Sequence, residues 1–297
     1  MATSSVTQTS TDIKKDSNSN TETYQAFTNT QGVHNIAIGN NDYKHKKPVF
    51  ATKEEEREHQ LIHMAAACRY IAKINAIEGS AGHMTIKDPV DPSTIWITPI
   101  GVHWSQMKRS DMIHIKEDGN EILPDGNTEH NANIAGLTIH TALHSCRKNV
   151  NAAVHFHSIY GKAWSTFGLP LDMINQDVCI FYKCHTVYEN FGGVVLEKEE
   201  GERLAKTLGN DNKAIILQNH GLLTVGETID EAIYLFGLME RSCKIQLLVE
   251  QTNLPKKIIS DEEAHYTYYN TSDPETLYAE FQLEYDVLEK EDDSFKD

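Results

Sequence analysis

The stretch Asn151-Ala152-Ala153-Val154-His155-Phe156-His157-Ser158 opens as an apolar run and closes on a His-x-His pair. The run Ala152 to Phe156 reads as a buried strand. Side chains two apart on a strand project from the same face, so the imidazoles of His155 and His157 can reach one ion. Further along, Ala214 to Gln218 and Leu222 to Val225 read as two more strands around Asn219-His220-Gly221. Gly221 lets the backbone reverse there, which turns His220 toward a neighbouring strand end. Three neutral imidazoles with an open fourth position are the usual catalytic arrangement for zinc, and iron, manganese or cobalt accept the same set. The chain has 15 histidines, so spacing alone also allows a chance pair with no metal.

Outward from this pair, Thr52 and Glu55 form a T-x-x-E capping box, and Leu61, Met64, Cys68, Ile71 and Ile74 follow at helical spacing. This long amphipathic helix ends near Gly79-Ser80-Ala81-Gly82, after which Met84 to Ile86 and Thr94 to Thr98 alternate as short strands. Asp118-Gly119 between Ile113 to Ile115 and Ile122 predicts a hairpin. Ile139 to Cys146 and Glu197 to Leu208 read as helices. A second capping box, Thr228 with Glu231, opens a helix through Ala232, Leu235, Phe236, Met239, Cys243 and Leu247. Strands and helices interleave without strict βαβ alternation. That order predicts a three-layer α/β/α fold around a mixed, largely antiparallel sheet.

The sequence predicts one domain over residues 52–255, with an arm before it and a tail after it. Residues 1–50 carry few aliphatics and many Ser, Thr, Asn and Lys, which predicts a disordered arm. From Asp261 onward 13 acidic residues face two lysines, so 256–297 is expected to be an acidic, partly docked tail. The net charge of −16 argues against nucleic acid as a partner, because phosphate backbones are neutralised by clustered Lys and Arg. No apolar run approaches a membrane span, and no secretory signal is expected in the first residues. Five cysteines without a C-x-x-C pair argue against a disulfide framework or zinc ribbon and fit a reducing cytoplasm.

Residues 151–158 and Leu217-Gln218-Asn219-His220-Gly221-Leu222-Leu223 resemble the two metal signatures of the class II aldolase/adducin family. The similarity runs from about Glu54 to about Glu250 and includes Gly79 to Gly82, Thr98-Pro99-Ile100-Gly101 and Gly226-Glu227-Thr228. It implies a class II aldolase-type fold and a divalent metal, zinc first and iron or manganese next, on His155, His157 and His220. It also implies a small hydroxy-carbonyl substrate, contacts to it from Gly82, Thr98 and Gly101, and a homotetramer with sites at subunit interfaces.

The chain departs from the family's phosphate-sugar aldolases where they carry Ser-Ser-Glu, the Glu being their acid/base. Aligned on His140, this chain has Ile134-Ala135-Gly136. The turn that usually ends Gly-Asn is Gly82-His83, and the usual Thr-Pro-Ser-Gly is Thr98-Pro99-Ile100-Gly101. A standard phosphate-sugar aldolase is therefore not expected, and proton transfer must come from another group. Substitutes in the sequence neighbourhood are His83, Glu129, His130, Tyr160 and His185, each of which could equally be an ordinary polar residue. Lys162, just after the His pair, could bind a substrate carboxylate or face solvent.

Two functions compete. One is a metal-dependent carbon–carbon lyase, or related decarboxylase or oxygenase. The other is an adducin-like assembly or actin-associated cytoskeletal protein without turnover, which the missing carboxylate and the segment from Glu231 to Gln246 favour and the acidic C-terminus does not.

Overall fold

The computed structural model describes residues 43–193 and 198–297. Most of the expected N-terminal arm lies outside these residues. Residues 43–52 run without regular structure against the first and last long helices, with Phe50 over His59 and Lys44 paired to Asp286.

Helix α1 (Lys53–Lys73) starts where the capping box places it, the Thr52 side chain accepting from the Glu55 N–H. Strands β1 (His83–Lys87), β2 (Thr94–Ile97), β4 (Ile113–Lys116), β6 (Ala152–Phe156), β7 (His185–Tyr188), β8 (Ala214–Leu217) and β9 (Gly221–Gly226) form one seven-stranded sheet. Its order is β4-β2-β1-β6-β9-β8-β7, antiparallel throughout except for the parallel pair β7–β8. The short strands β3 (Pro99–Ile100) and β5 (Asn131–Ala132) pair separately. The Asp118-Gly119 turn sends Ile122 back to bridge Ile115, so one side of the expected hairpin is a single bridge.

Alternation along the central strands sorts the two faces. Met84, Ile86, Val154, Phe156, Ile216 and Leu222 pack with residues of α1 and α5 (Ile229–Glu250) in the larger core. Ala153, Ile215, Leu223 and Val225 pack under α2 (Ile134–Cys146) and α4 (Lys198–Leu208). Helix–sheet–helix layers around a mixed, mostly antiparallel sheet are thus what the interleaved pattern predicted. Helix α2 begins five residues earlier than the apolar spacing suggested, because the Asn133 side chain caps it through the Ala135 and Gly136 N–H groups.

The C-terminal segment, expected as an acidic and partly docked tail, is docked and helical. It folds into α6 (Asp261–Thr271) and α7 (Pro274–Glu291), started by Ser260 with Glu263 and by Asp273 with Pro274. Leu277, Phe281, Leu288 and Phe295 are buried in the main core, and the Phe281 ring meets Tyr70 edge-on at 5.5 Å. Acidic residues dominate the composition there, yet a few large apolar side chains at helical spacing suffice to dock the segment. No helix among the described residues is long and apolar enough to cross a membrane.

Candidate metal centre

Strand β6 ends at Phe156 and β9 begins at Gly221, so the antiparallel pairing brings His157 and His220 to the same sheet end. A Cβ on Gly221 would meet the Phe156 carbonyl oxygen at 2.5 Å, so the turn after β8 closes against β6 only with glycine there. Asn219 takes the left-handed conformation at φ 58, which asparagine tolerates better than most residues. One nitrogen from each of His155, His157 and His220 lies within 4.8 Å of the others, with ring centroids 4.6 to 5.1 Å apart. Nδ1 of His155 donates to the Leu222 carbonyl at 2.8 Å, leaving its Nε2 bare for an ion.

Burial keeps these rings neutral. It holds His155 well below the ordinary histidine range, assisted by His220, and brings His220 to about 4, assisted by His157. His157 is lowered by burial and by Lys162, with Glu78 pulling the other way. Lys162 Nζ pairs with Glu78 at 2.6 Å beside that ring. Three uncharged imidazoles suit a divalent ion.

A second histidine array abuts the first. His83 faces His155 across the β1–β6 ladder, its ring 4.9 Å away. A Cβ built on Gly136 would fall 2.5 Å from Cγ of His83, so the imidazole occupies the space into which a side chain at 136 would project. Behind it, Nδ1 of His83 lies 2.9 Å from Nε2 of His140, Nδ1 of His140 lies 2.6 Å from Thr85 Oγ1, and Thr85 Oγ1 lies 2.8 Å from Nε2 of His144.

The far end fixes every proton. Nδ1 of His144 is 2.9 Å from the Val150 carbonyl, which can only accept. Its Nε2 must then accept from Thr85, whose oxygen accepts from Nδ1–H of His140. Nε2 of His140 accepts from Nδ1–H of His83, and Nε2 of His83 is left with a free lone pair. Burial holds His83 and His140 well below their ordinary range and brings His144 to about 4, which keeps this neutral chain intact.

The other sequence candidates separate. Glu129 is exposed, and His130 sits 3.3 Å from Asp111, away from the triad. Tyr160 lies under Lys244, and its N–H donates to Glu240. His185 has both ring nitrogens engaged, Nδ1 with the Phe181 carbonyl and Nε2 with the Leu171 N–H, so neither is free for proton transfer. Gly82, at φ 108, allows close passage over Phe156, where a Cβ would meet the ring at 2.3 Å. The Thr98 hydroxyl accepts from the Met84 N–H, tying the loop to β1, and Gly101 faces open space.

Sequence reading missed Thr85, His140 and His144 as partners of His83. The signals were the shared face of His83 and Thr85 on β1 and the i, i+4 spacing of His140 and His144 on α2. It also missed Glu240, a buried carboxylate that accepts from Ser158 Oγ and from the N–H groups of Tyr160 and Gly161. It holds the start of α3 (Ile159–Ser165) immediately after His157.

The lowered histidines carry a pH signature. His144 and His220, near 4 when folded against about 6.5 otherwise, bind fewer protons folded than unfolded between those values. Stability is therefore full above about pH 6.5 and falls toward pH 4, by about 1.4 kcal/mol per pH unit for each such group. His114 opposes this: burial lowers its pKa, but Asp88 and Asp125 outweigh burial and raise it, so its contribution is present in acid and lost as pH rises. It is one group against several. The Tm of metal-free protein is expected to fall steadily from pH 6.5 to 4.5, and a flat profile would show that these rings are not buried neutral.

Comparison with known proteins follows this geometry. The family described as Class II Aldolase and Adducin N-terminal domain matches residues 62–247. The meiotically up-regulated gene 14 protein of Schizosaccharomyces pombe is 45% identical over 233 residues, 78% of this chain and 89% of that protein. Decarboxylase NovR of Streptomyces niveus is 38% identical over 73% of this chain and 79% of its own length. The solved L-fuculose 1-phosphate aldolase from Glaciozyma antarctica PI12 superposes with a TM-score of 0.76 at 35% identity, over 82% of this chain and 94% of that one.

Proposed function

Because this chain belongs to the class II aldolase and adducin N-terminal domain family, we propose that it is a metal-dependent lyase of the aldolase or decarboxylase type, acting on a small hydroxy-carbonyl compound. The observation that carries this reading is the convergence of three neutral imidazoles beside a fourth, His83, whose free lone pair is fixed by the His140–Thr85–His144 chain. His155, His157 and His220 would hold the ion, zinc first by donor type and iron or manganese next. When bound, a divalent ion supplies a Lewis acid that polarises a carbonyl oxygen.

His83 takes the part that a carboxylate at position 136 would otherwise play. Its Nε2 accepts a proton from the substrate, and its Nδ1 stays bonded to His140, which holds the ring in one tautomer. Lys162, drawn from Glu78, binds a substrate carboxylate at the mouth beside His157. Ile134 and Ala135 offer no hydroxyl for a phosphate, which favours a carboxylate-bearing substrate. The S. niveus relative, named a decarboxylase, supports this chemistry, whereas the G. antarctica relative is named for a sugar phosphate. A reducing cytoplasm and a homotetramer accompany the reading, and the unpaired state of all five cysteines supports the first.

The test is a screen of metal-replete protein against small hydroxy-carbonyl acids and matched phosphate sugars. Chelator-sensitive turnover of the acids is expected. Turnover of phosphate sugars alone would overturn the carboxylate assignment. Bound metal with no turnover of either class would favour the non-catalytic role that the family's adducin branch represents.

A further inference from the structure

At the opposite end of β9 from the triad, about 16 Å along the strand, helices α1 and α5 begin side by side. His59 and His63 are four apart on α1 and share one face. Their ring centroids lie 3.8 Å apart with the planes tilted by 34°, flanked by Phe50 on the His59 side and by the stacked Tyr285 ring on the His63 side. Asp230, in the first turn of α5, is wholly buried beneath them. Its Oδ1 lies 2.5 Å from Nδ1 of His63 and accepts from Nε2 of Gln282 at 2.7 Å. Its Oδ2 is buried and has no hydrogen-bond partner among the described residues. A carboxylate oxygen withdrawn from water without a partner is costly, and a cation is what most directly offsets that cost.

We propose that His59, His63 and Asp230 form a second divalent-metal site, which fastens the start of α1 to the start of α5. One donor atom from each lies within 4.8 Å of the others. Two imidazoles and a carboxylate suit zinc, with cobalt, manganese or iron accepted by the same set. Burial holds His59 to about 4, so that ring is neutral and able to coordinate. A cavity of about 350 Å³ lined by Phe50, His59, Gln60 and Tyr278 opens beside His59. The Tyr278 hydroxyl, 3.3 Å from Nε2 of His59, orients that ring. The role is structural, since the site lies far from the triad and ties together helices that both pack on the main core. It stands independently of the lyase reading.

The experiment counts zinc by titration into chelator-stripped, full-length protein, with Tm recorded at each addition. Wild type is expected to take up two equivalents, and a His155→Ala, His157→Ala variant to keep one and to gain Tm from it. Adding His59→Gln, or separately Asp230→Asn, should remove that remaining equivalent and its Tm gain; circular dichroism verifies the fold. A triad variant that keeps its fold but takes up no zinc and gains no Tm would overturn the proposal, leaving only a buried His63–Asp230 contact. If the triad variant fails to fold, the count falls on wild type against His59→Gln: two against one supports the second site, and one against one overturns it. Wild type and triad variant each binding one equivalent would retain this site and reject the triad.

Discussion

His83→Asn is expected to retain the metal bound by the triad and to lose about 10²- to 10⁴-fold in kcat, the usual worth of a positioned acid/base. An asparagine amide can accept a hydrogen bond but cannot take up a proton at neutral pH, and the residue is small enough to sit where the imidazole sits. The loss belongs to proton transfer and not to binding, so KM should change little beside kcat. The pH profile should lose the limb that His83 contributes. Steady-state kinetics of the two proteins across pH, with metal content measured on the same samples, checks this. Equal kcat in the two proteins would remove His83 from the chemistry and return the search to groups outside the described residues or on another subunit.

The second large effect is the paired change His155→Ala, His157→Ala. It leaves His220 as the sole imidazole of the triad, and a lone imidazole does not retain a divalent ion against dilution. Metal at the triad and chelator-sensitive turnover should both be lost. Removing His155 also deletes its hydrogen bond to the Leu222 carbonyl, at a cost of about 0.5 to 1.5 kcal/mol. A modest drop in Tm is thus expected, and a folded far-UV spectrum is the control that separates loss of the site from loss of the chain. Elemental analysis beside the activity assay reads the outcome. Undiminished activity in the folded variant would contradict the role given to these residues.

Much of this was legible because the decisive signals are local. The His-x-His pair sits at the end of an apolar run, the Asn219-His220-Gly221 turn lies between two others, and Thr52 and Thr228 open helices that the structure caps as expected. Alternation and helical spacing carry such information within a few residues. What escaped depends on contacts between distant segments. That His83 fills the space next to Gly136 requires β1 and α2 to be packed together, and a missing side chain in the sequence says nothing of what replaces it.

Helices α6 and α7 escaped for another reason. Their acidic composition suggested a partly docked tail, while the helices dock through a few spaced side chains: Leu277, Phe281 and Leu288 of α7 enter the main core, and Ala264 and Tyr268 of α6 pack with Cys179, Tyr182 and Cys184. His185 shows the converse: it stood among the candidates for proton transfer, and two backbone groups take both of its nitrogens.

The most direct test of the triad as a metal centre is anomalous X-ray diffraction at the zinc edge from crystals of chelator-stripped protein reconstituted with zinc. A peak is expected at coordination distance from the side-chain nitrogens of His155, His157 and His220, with His83 beside it. A well-ordered triad with no peak, in crystals whose zinc content is confirmed, would contradict this.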